Sequence, residues 1–148
     1  MSLESQVMDA IKRAMKEKDR VALDALRAIK AQILLSKIEG KGVEIGQDQE
    51  IVILQRMLKQ RKDSIQQFEA QQRQDLAEVE ASQIRVIEKF LPVQLSDEEL
   101  ETEVRKIILE MGAIGVKDLG KVMAIASKTL LGKSDGKRIS EIAKKLLA

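Results

Sequence analysis

The chain contains no cysteine, histidine, tryptophan or tyrosine, and only two aromatic residues, Phe68 and Phe90. Without Cys or His it has no zinc ligand of the thiolate or imidazole kind, no Cys or His nucleophile, and no side chain that titrates near neutrality when unperturbed. With only two aromatic rings it offers almost no platform for stacking single-stranded bases. A carboxylate di-iron site of the four-helix type needs Glu-x-x-His and is excluded as well. No run of about 18 apolar residues is present, and the N-terminal MSLESQVMDA lacks a basic stretch followed by an apolar core. The expectation is a cytoplasmic protein with no membrane partner.

What remains is 148 residues, 44% hydrophobic and 34% charged. That length buries enough surface for folding without disulfides or metal. The apolar spacing is helical almost throughout. Val7, Met8, Ile11 and Met15 mark a first helix, and Asp19 is the expected N-cap of a second carrying Leu23, Leu26, Ile29, Ile33 and Leu34. The stretch GKGVEIGQ, residues 40–47, reads as a loop and as the expected mobile segment. A third helix is expected from about Asp48 to Glu69, with Ile51, Leu54, Leu58, Ile65 and Phe68 inward and Arg61 in an apolar position. A fourth runs from about Arg73 to Leu91, with Leu76, Val79, Val86, Ile87 and Phe90 inward.

Pro92, the only proline, disfavours helical geometry at Leu91 and sets a boundary there. Ser96 followed by Glu99 is a capping-box pattern, and the helix it opens should end at Gly112. Two shorter helices are expected at about Lys117 to Leu130 and Asp135 to Leu147. The expected fold is all-α: a bundle-like N-terminal half of about four helices, residues 1–91, and a small three-helix C-terminal domain, residues 92–148.

Net charge is +2, but the cations are unevenly placed. Residues 97–103 hold five carboxylates and no cation, whereas residues 105–148 hold ten Lys or Arg against four acids, 10 − 4 = +6. Lys117, Lys121 and Lys128 share a helix face opposite Leu119, Val122, Met123 and Ala126. Lys137, Arg138, Lys144 and Lys145 lie opposite Ile139, Ile142, Ala143 and Leu146. The turn LGKSDGKR, with Lys133, fails as a nucleotide-hydrolysing loop: Gly132 and Gly136 are too close, position 127 is Ser, and the flanks are helical. Two readings stay open. One is a turn in which Gly132 ends a helix and Ser134 or Asp135 caps the next; the other adds a helix start that holds a phosphate. In the third helix Lys59, Arg61 and Lys62 make a secondary basic cluster, with Arg61 expected to pair with Asp75 or Glu78. No nucleophile has an adjacent base, so no catalytic residue and no cofactor are assigned.

The segments LKQRKDSIQQF (58–68), FLPVQLSDEEL (90–100), KDLGKVM (117–123) and GKSDGKRI (132–139) resemble the GatB/YqeY family, in order and spacing along essentially the whole chain. Position 90 is Phe where the family pattern has Tyr, 119 is Leu where Met is common, and 134 is Ser where Ala occurs. The length matches the stand-alone YqeY-type members. The resemblance implies an all-helical protein related to the tail of the tRNA-dependent amidotransferase B subunit, which contacts tRNA while amide transfer occurs elsewhere. It therefore implies a non-catalytic tRNA-binding module that reads RNA backbone and shape, with no DNA partner expected. A carbon–nitrogen ligase activity would belong to the larger enzyme. A protein-interaction adaptor, using the 40–47 loop and the acidic helix start, is the competing expectation.

Overall fold

The protein is described by a computed structural model covering residues 2–148. The order of helices is α1 Leu3–Glu17, α2 Arg20–Glu39, α3 Gln47–Ala70, α4 Gln74–Glu88, α5 Asp97–Met111, α6 Leu119–Thr129 and α7 Gly136–Leu147, with a 3-10 turn at Val116–Asp118. No strand occurs among the described residues, so the fold is all-helical. The chain divides into two compact units, one ending at Leu91 and the other running from Pro92 to Ala148.

The first unit is built on α2, which packs against α1 and α4 and more lightly against α3, while α3 and α4 lie along each other. Asp19 caps α2 as its side chain accepts from the Ala22 N–H at 3.1 Å. The core joins Val7 of α1, Leu26, Ile29 and Ile33 of α2, Leu54, Met57 and Leu58 of α3, and Ile84 and Ile87 of α4. Three residues expected inward are not there: Met15 and Leu34 are 57% exposed and Val79 is 52% exposed. Ala14, Ile33 and Ala77, one or two residues away, are buried instead. In α1 and α4 the alanine lets neighbouring helix backbones approach closely, so the buried face turns toward it and the larger neighbour is left outside.

Residues 40–46 are more structured than a glycine-rich loop suggests. Gly42 adopts φ 81°, and its N–H reaches back to the Lys37 carbonyl at 2.8 Å while Lys41 donates to Ile38, closing the end of α2. Lys37 pairs with both Glu4 and Glu44, and the Leu3 N–H donates to Glu50, so charges tie the ends of three helices. Helix α4 stops at Glu88, short of the expected Leu91. The N–H groups of Lys89, Phe90 and Leu91 bond three residues back, to Val86, Ile87 and Glu88. Such tightening of the last turn satisfies these donors ahead of Pro92.

The second unit packs α5, α6 and α7 around Leu100, Val104, Ile107, Val122, Ala126, Leu130, Ile139, Ala143 and Leu147. The capping box is formed: Ser96 Oγ accepts from the Glu99 N–H at 3.1 Å, and the Glu99 carboxylate accepts from the Ser96 N–H at 3.2 Å. Gly112, at φ 68°, ends α5 as expected. Ser96 should therefore contribute about 1 kcal/mol, which Ser96→Ala would remove in a urea titration. The Glu99 carboxyl is held below its ordinary range by the Ser96 side chain and then by the Ser96 backbone. A carboxyl lowered on folding stabilises above its unfolded value, about 4.3 for Glu, and that contribution fades as pH falls through the folded value. Below about pH 4 the wild type should thus lose melting temperature faster than Glu99→Gln; parallel profiles would contradict this.

Candidate nucleic-acid interface

The turn between α6 and α7 is a structural brace. Leu130 still bonds back to Ala126, Gly132 takes φ 81°, and Lys133 donates to the Leu130 carbonyl at 3.0 Å. The outward carbonyls are then used by the segment after Pro92. Gly132 O accepts from Gln94 Nε2 at 2.6 Å, and Lys133 O accepts from the Leu95 N–H at 2.9 Å. Ser134, only 3% exposed, donates its hydroxyl to the Asp135 carbonyl at 3.3 Å. Asp135 is the N-cap of α7, its carboxylate accepting from the Arg138 N–H at 2.8 Å.

This geometry decides between the two readings of the turn in one respect. The positive end of α7 is already complemented by the Asp135 carboxylate, so an approaching phosphate meets a negative charge at that position. Arg138 is also engaged. Its guanidinium donates to the Leu95 carbonyl at 3.1 Å and to Asp97 at 2.7 Å, joining the starts of α5 and α7. Arg138 and Lys145 lie on the flank of α7 that faces α5, where they line a cleft of about 230 Å³ with Asp97, Glu101 and Glu141. Arg105 pairs with Glu101.

Six other lysines of this unit point outward. Lys117, Lys121, Lys128, Lys133, Lys137 and Lys144 are exposed, and none makes an ion pair among the described residues. Lys121 and Lys128 are seven residues apart on α6, as are Lys137 and Lys144 on α7, so each pair shares one outer face. Lys117 belongs to the 3-10 turn and not to α6 as the spacing suggests. Asp118 explains the later start: its carboxylate accepts from the Ile114 N–H at 3.0 Å, fixing a turn ahead of the helix.

In the first unit Arg61 does not pair with Asp75 or Glu78. Asp75 is bound by Arg73 and Glu78 by Arg85, each close in sequence on α4 or its cap. Arg61 is half-buried against α4 and donates through Nε to Gln83 Oε1 at 3.0 Å and through a terminal nitrogen to the Met57 carbonyl at 3.4 Å. Both acceptors are neutral. Lys59 and Lys62 are exposed and make no ion pair among the described residues. The contributions of Gln94, Leu95 and Asp97 to the brace have no sequence signal, because they depend on contacts across about 40 residues.

Among the described residues no group of carboxylates is placed to hold a metal ion, and no helix is long and apolar enough to cross a membrane. The chain matches a family described as Yqey-like protein over residues 4–147. It is similar to altered inheritance of mitochondria protein 41, mitochondrial, of Kluyveromyces lactis, with 31% identity over 104 residues, covering 68% of this chain and 56% of that protein. The Clavispora lusitaniae protein of that name is 34% identical over 109 residues, covering 70% and 61%. The one from Saccharomyces cerevisiae strain YJM789 is 30% identical over 132 residues, covering 87% and 68%. The chain thus spans between half and two thirds of the length of the first two relatives. With the match extending through both helical units, the chain belongs to the Yqey-like protein family.

Proposed function

We propose that the protein is a non-catalytic tRNA-binding module whose C-terminal unit grips phosphates of structured RNA with lysine side chains. The observation that carries this reading is the segregation of charge within that unit. Three of its α5 carboxylates, Glu99, Glu101 and Asp97, serve the capping box, Arg105 and Arg138, while six lysines on the 3-10 turn, α6, the brace and α7 stand exposed without an ion-pair partner among the described residues. Flexible ammonium groups on outer faces suit backbone contacts, and the scarcity of aromatics favours recognition of shape over stacking. The resemblance to the amidotransferase B-subunit tail makes tRNA the RNA of choice. Asp135 at the start of α7 means that the lysines act as surface charges and not around a backbone cradle.

The test is a titration of fluorescent tRNA at 50 and 200 mM salt, with duplex DNA of equal length as competitor. Binding that weakens steeply with salt and is displaced poorly by DNA is expected. Absence of binding at 50 mM, or equal displacement by DNA, overturns the reading.

A second reading, an adaptor docking on a larger enzyme or the translation apparatus, is favoured by Leu34, Leu35, Ile38 and Val43. These apolar side chains stand exposed around the end of α2 and the following loop. Partners retained by the wild type after ribonuclease treatment, and lost from Leu34→Ser/Ile38→Ser, would support it.

A further inference from the structure

We infer that the connection between α5 and α6 is a membrane-surface contact, an apolar tip of Leu109, Ile114 and Val116 that enters an anionic lipid headgroup layer met by the lysines beside it. Among the described residues no leucine or isoleucine is more exposed than Ile114, at 81%, and Leu109, at 75%, comes next. Val116 is exposed as well. Apolar side chains scattered singly over a surface are ordinary, but these three fall on one short connection.

The backbone holds them there. Gly112, at φ 68°, ends α5 in the left-handed conformation, and the Ala113 N–H returns to the Ile108 carbonyl at 3.1 Å. The Asp118 carboxylate accepts from the Ile114 N–H, and the Asp118 N–H donates to the Gly115 carbonyl at 2.9 Å. Ile108, Met111, Ala113 and Leu119 pack against the core of the unit. The connection therefore supplies its inward apolar residues and still sets three others outward on a hydrogen-bonded turn.

Charge selects the partner. Residues 105–121 hold Arg105, Lys106, Lys117 and Lys121 against Glu110 and Asp118, 4 − 2 = +2. Arg105 is paired with Glu101 and Asp118 is engaged in the turn, which leaves three exposed lysines and one exposed acid, Glu110, around the tip. Lys106 precedes Leu109 by three positions on α5 and shares its side of the helix, while Lys117 follows Val116 directly. Lysine stems lie along apolar surface with the ammonium reaching outward, and each cation beside an anionic leaflet adds to the attraction. The expectation of no membrane partner rests on spanning segments, and a contact that lies on the surface needs none.

The test sediments the full chain with vesicles of phosphatidylcholine containing about one third phosphatidylglycerol, and with phosphatidylcholine alone. The wild type should pellet with the anionic vesicles, far less with the neutral ones, and be released as salt is raised. Leu109→Ser/Ile114→Ser, at exposed positions, should keep wild-type melting and tRNA affinity while partitioning roughly tenfold less. Leu109→Ile/Ile114→Leu should partition as the wild type does. Lys106→Gln, outside the proposed RNA face, should weaken partitioning about fivefold. No pelleting of the wild type, equal pelleting with neutral vesicles, or undiminished pelleting of the serine variant overturns the lipid contact. Loss of tRNA binding in the serine variant would assign the tip to the RNA face, and a dimer that this variant dissolves would assign it to a second copy; either result overturns the proposal too. Because the serine variant alters no lysine, failure of the RNA-binding reading leaves the vesicle result standing.

Discussion

Ile29→Ala is expected to lower the stability of the first unit by about 3–4 kcal/mol, more than any surface change discussed above. Ile29 has no exposed surface and sits at the middle of α2, between Leu26 and Ile33, in the cluster to which all four helices of the unit contribute. Helix α2 is the element that α1 and α4 both pack against, so a void there has few ways to collapse. Because domains are stable by only about 5–15 kcal/mol, the urea midpoint should move far to lower concentration with the slope nearly unchanged. Leu34→Ala, five residues later on the same helix, should cost less than about 1 kcal/mol because Leu34 is 57% exposed. Equal losses from the two substitutions would place the core on the wrong side of α2.

Reversing four lysines, as Lys121→Glu/Lys133→Glu/Lys137→Glu/Lys144→Glu, is expected to weaken tRNA binding by roughly a thousandfold at 0.1 M salt. Each substitution would remove one of the proposed phosphate contacts and replace it with repulsion, and the four positions span α6, the brace and α7. The salt dependence should flatten by about three to four in slope, the loss of four phosphate contacts. None of the four has an ion-pair partner among the described residues, so no internal bridge is broken. Arg138→Glu is deliberately left out of the set. Its guanidinium ties Leu95 and Asp97 to α7, and a loss of binding in that variant could come from the fold. An affinity within threefold of wild type in the quadruple variant would refute the C-terminal footprint.

Local devices were legible from residue order because they act over one turn. Asp19, the Ser96–Glu99 box, Gly112 and Pro92 each work through neighbours within a few positions, and each marks the place where a helix begins or ends. The all-helical class followed from the apolar period in the same way. Which side of a helix faces inward was less legible wherever alanine competes with a larger residue. Periodicity counts Met15 and Val79 as apolar, but packing selects Ala14 and Ala77. The partner of Arg61 was illegible for a related reason. Spacing suggested a carboxylate on α4, yet the acids there are taken by Arg73 and Arg85, and the residue opposite Arg61 is Gln83. Of the proposed interface, the number and the spacing of the lysines were readable. That Arg138 and Lys145 turn toward the carboxylates of α5, and that Asp135 closes the start of α7, required the three-dimensional arrangement.

The brace between the 94–95 segment and the α6–α7 turn also dictates where the chain can be divided. Gln94 and Leu95 precede the first helix of the second unit, yet they supply the donors for the carbonyls of Gly132 and Lys133. A fragment begun at Pro92 carries its own fastener, whereas one begun at Asp97 leaves those two carbonyls and one arm of Arg138 without their protein partners. The apparent linker after the proline is therefore the first structural residue run of the second unit, and a cut placed by helix boundaries alone would remove the piece that holds its turn in shape.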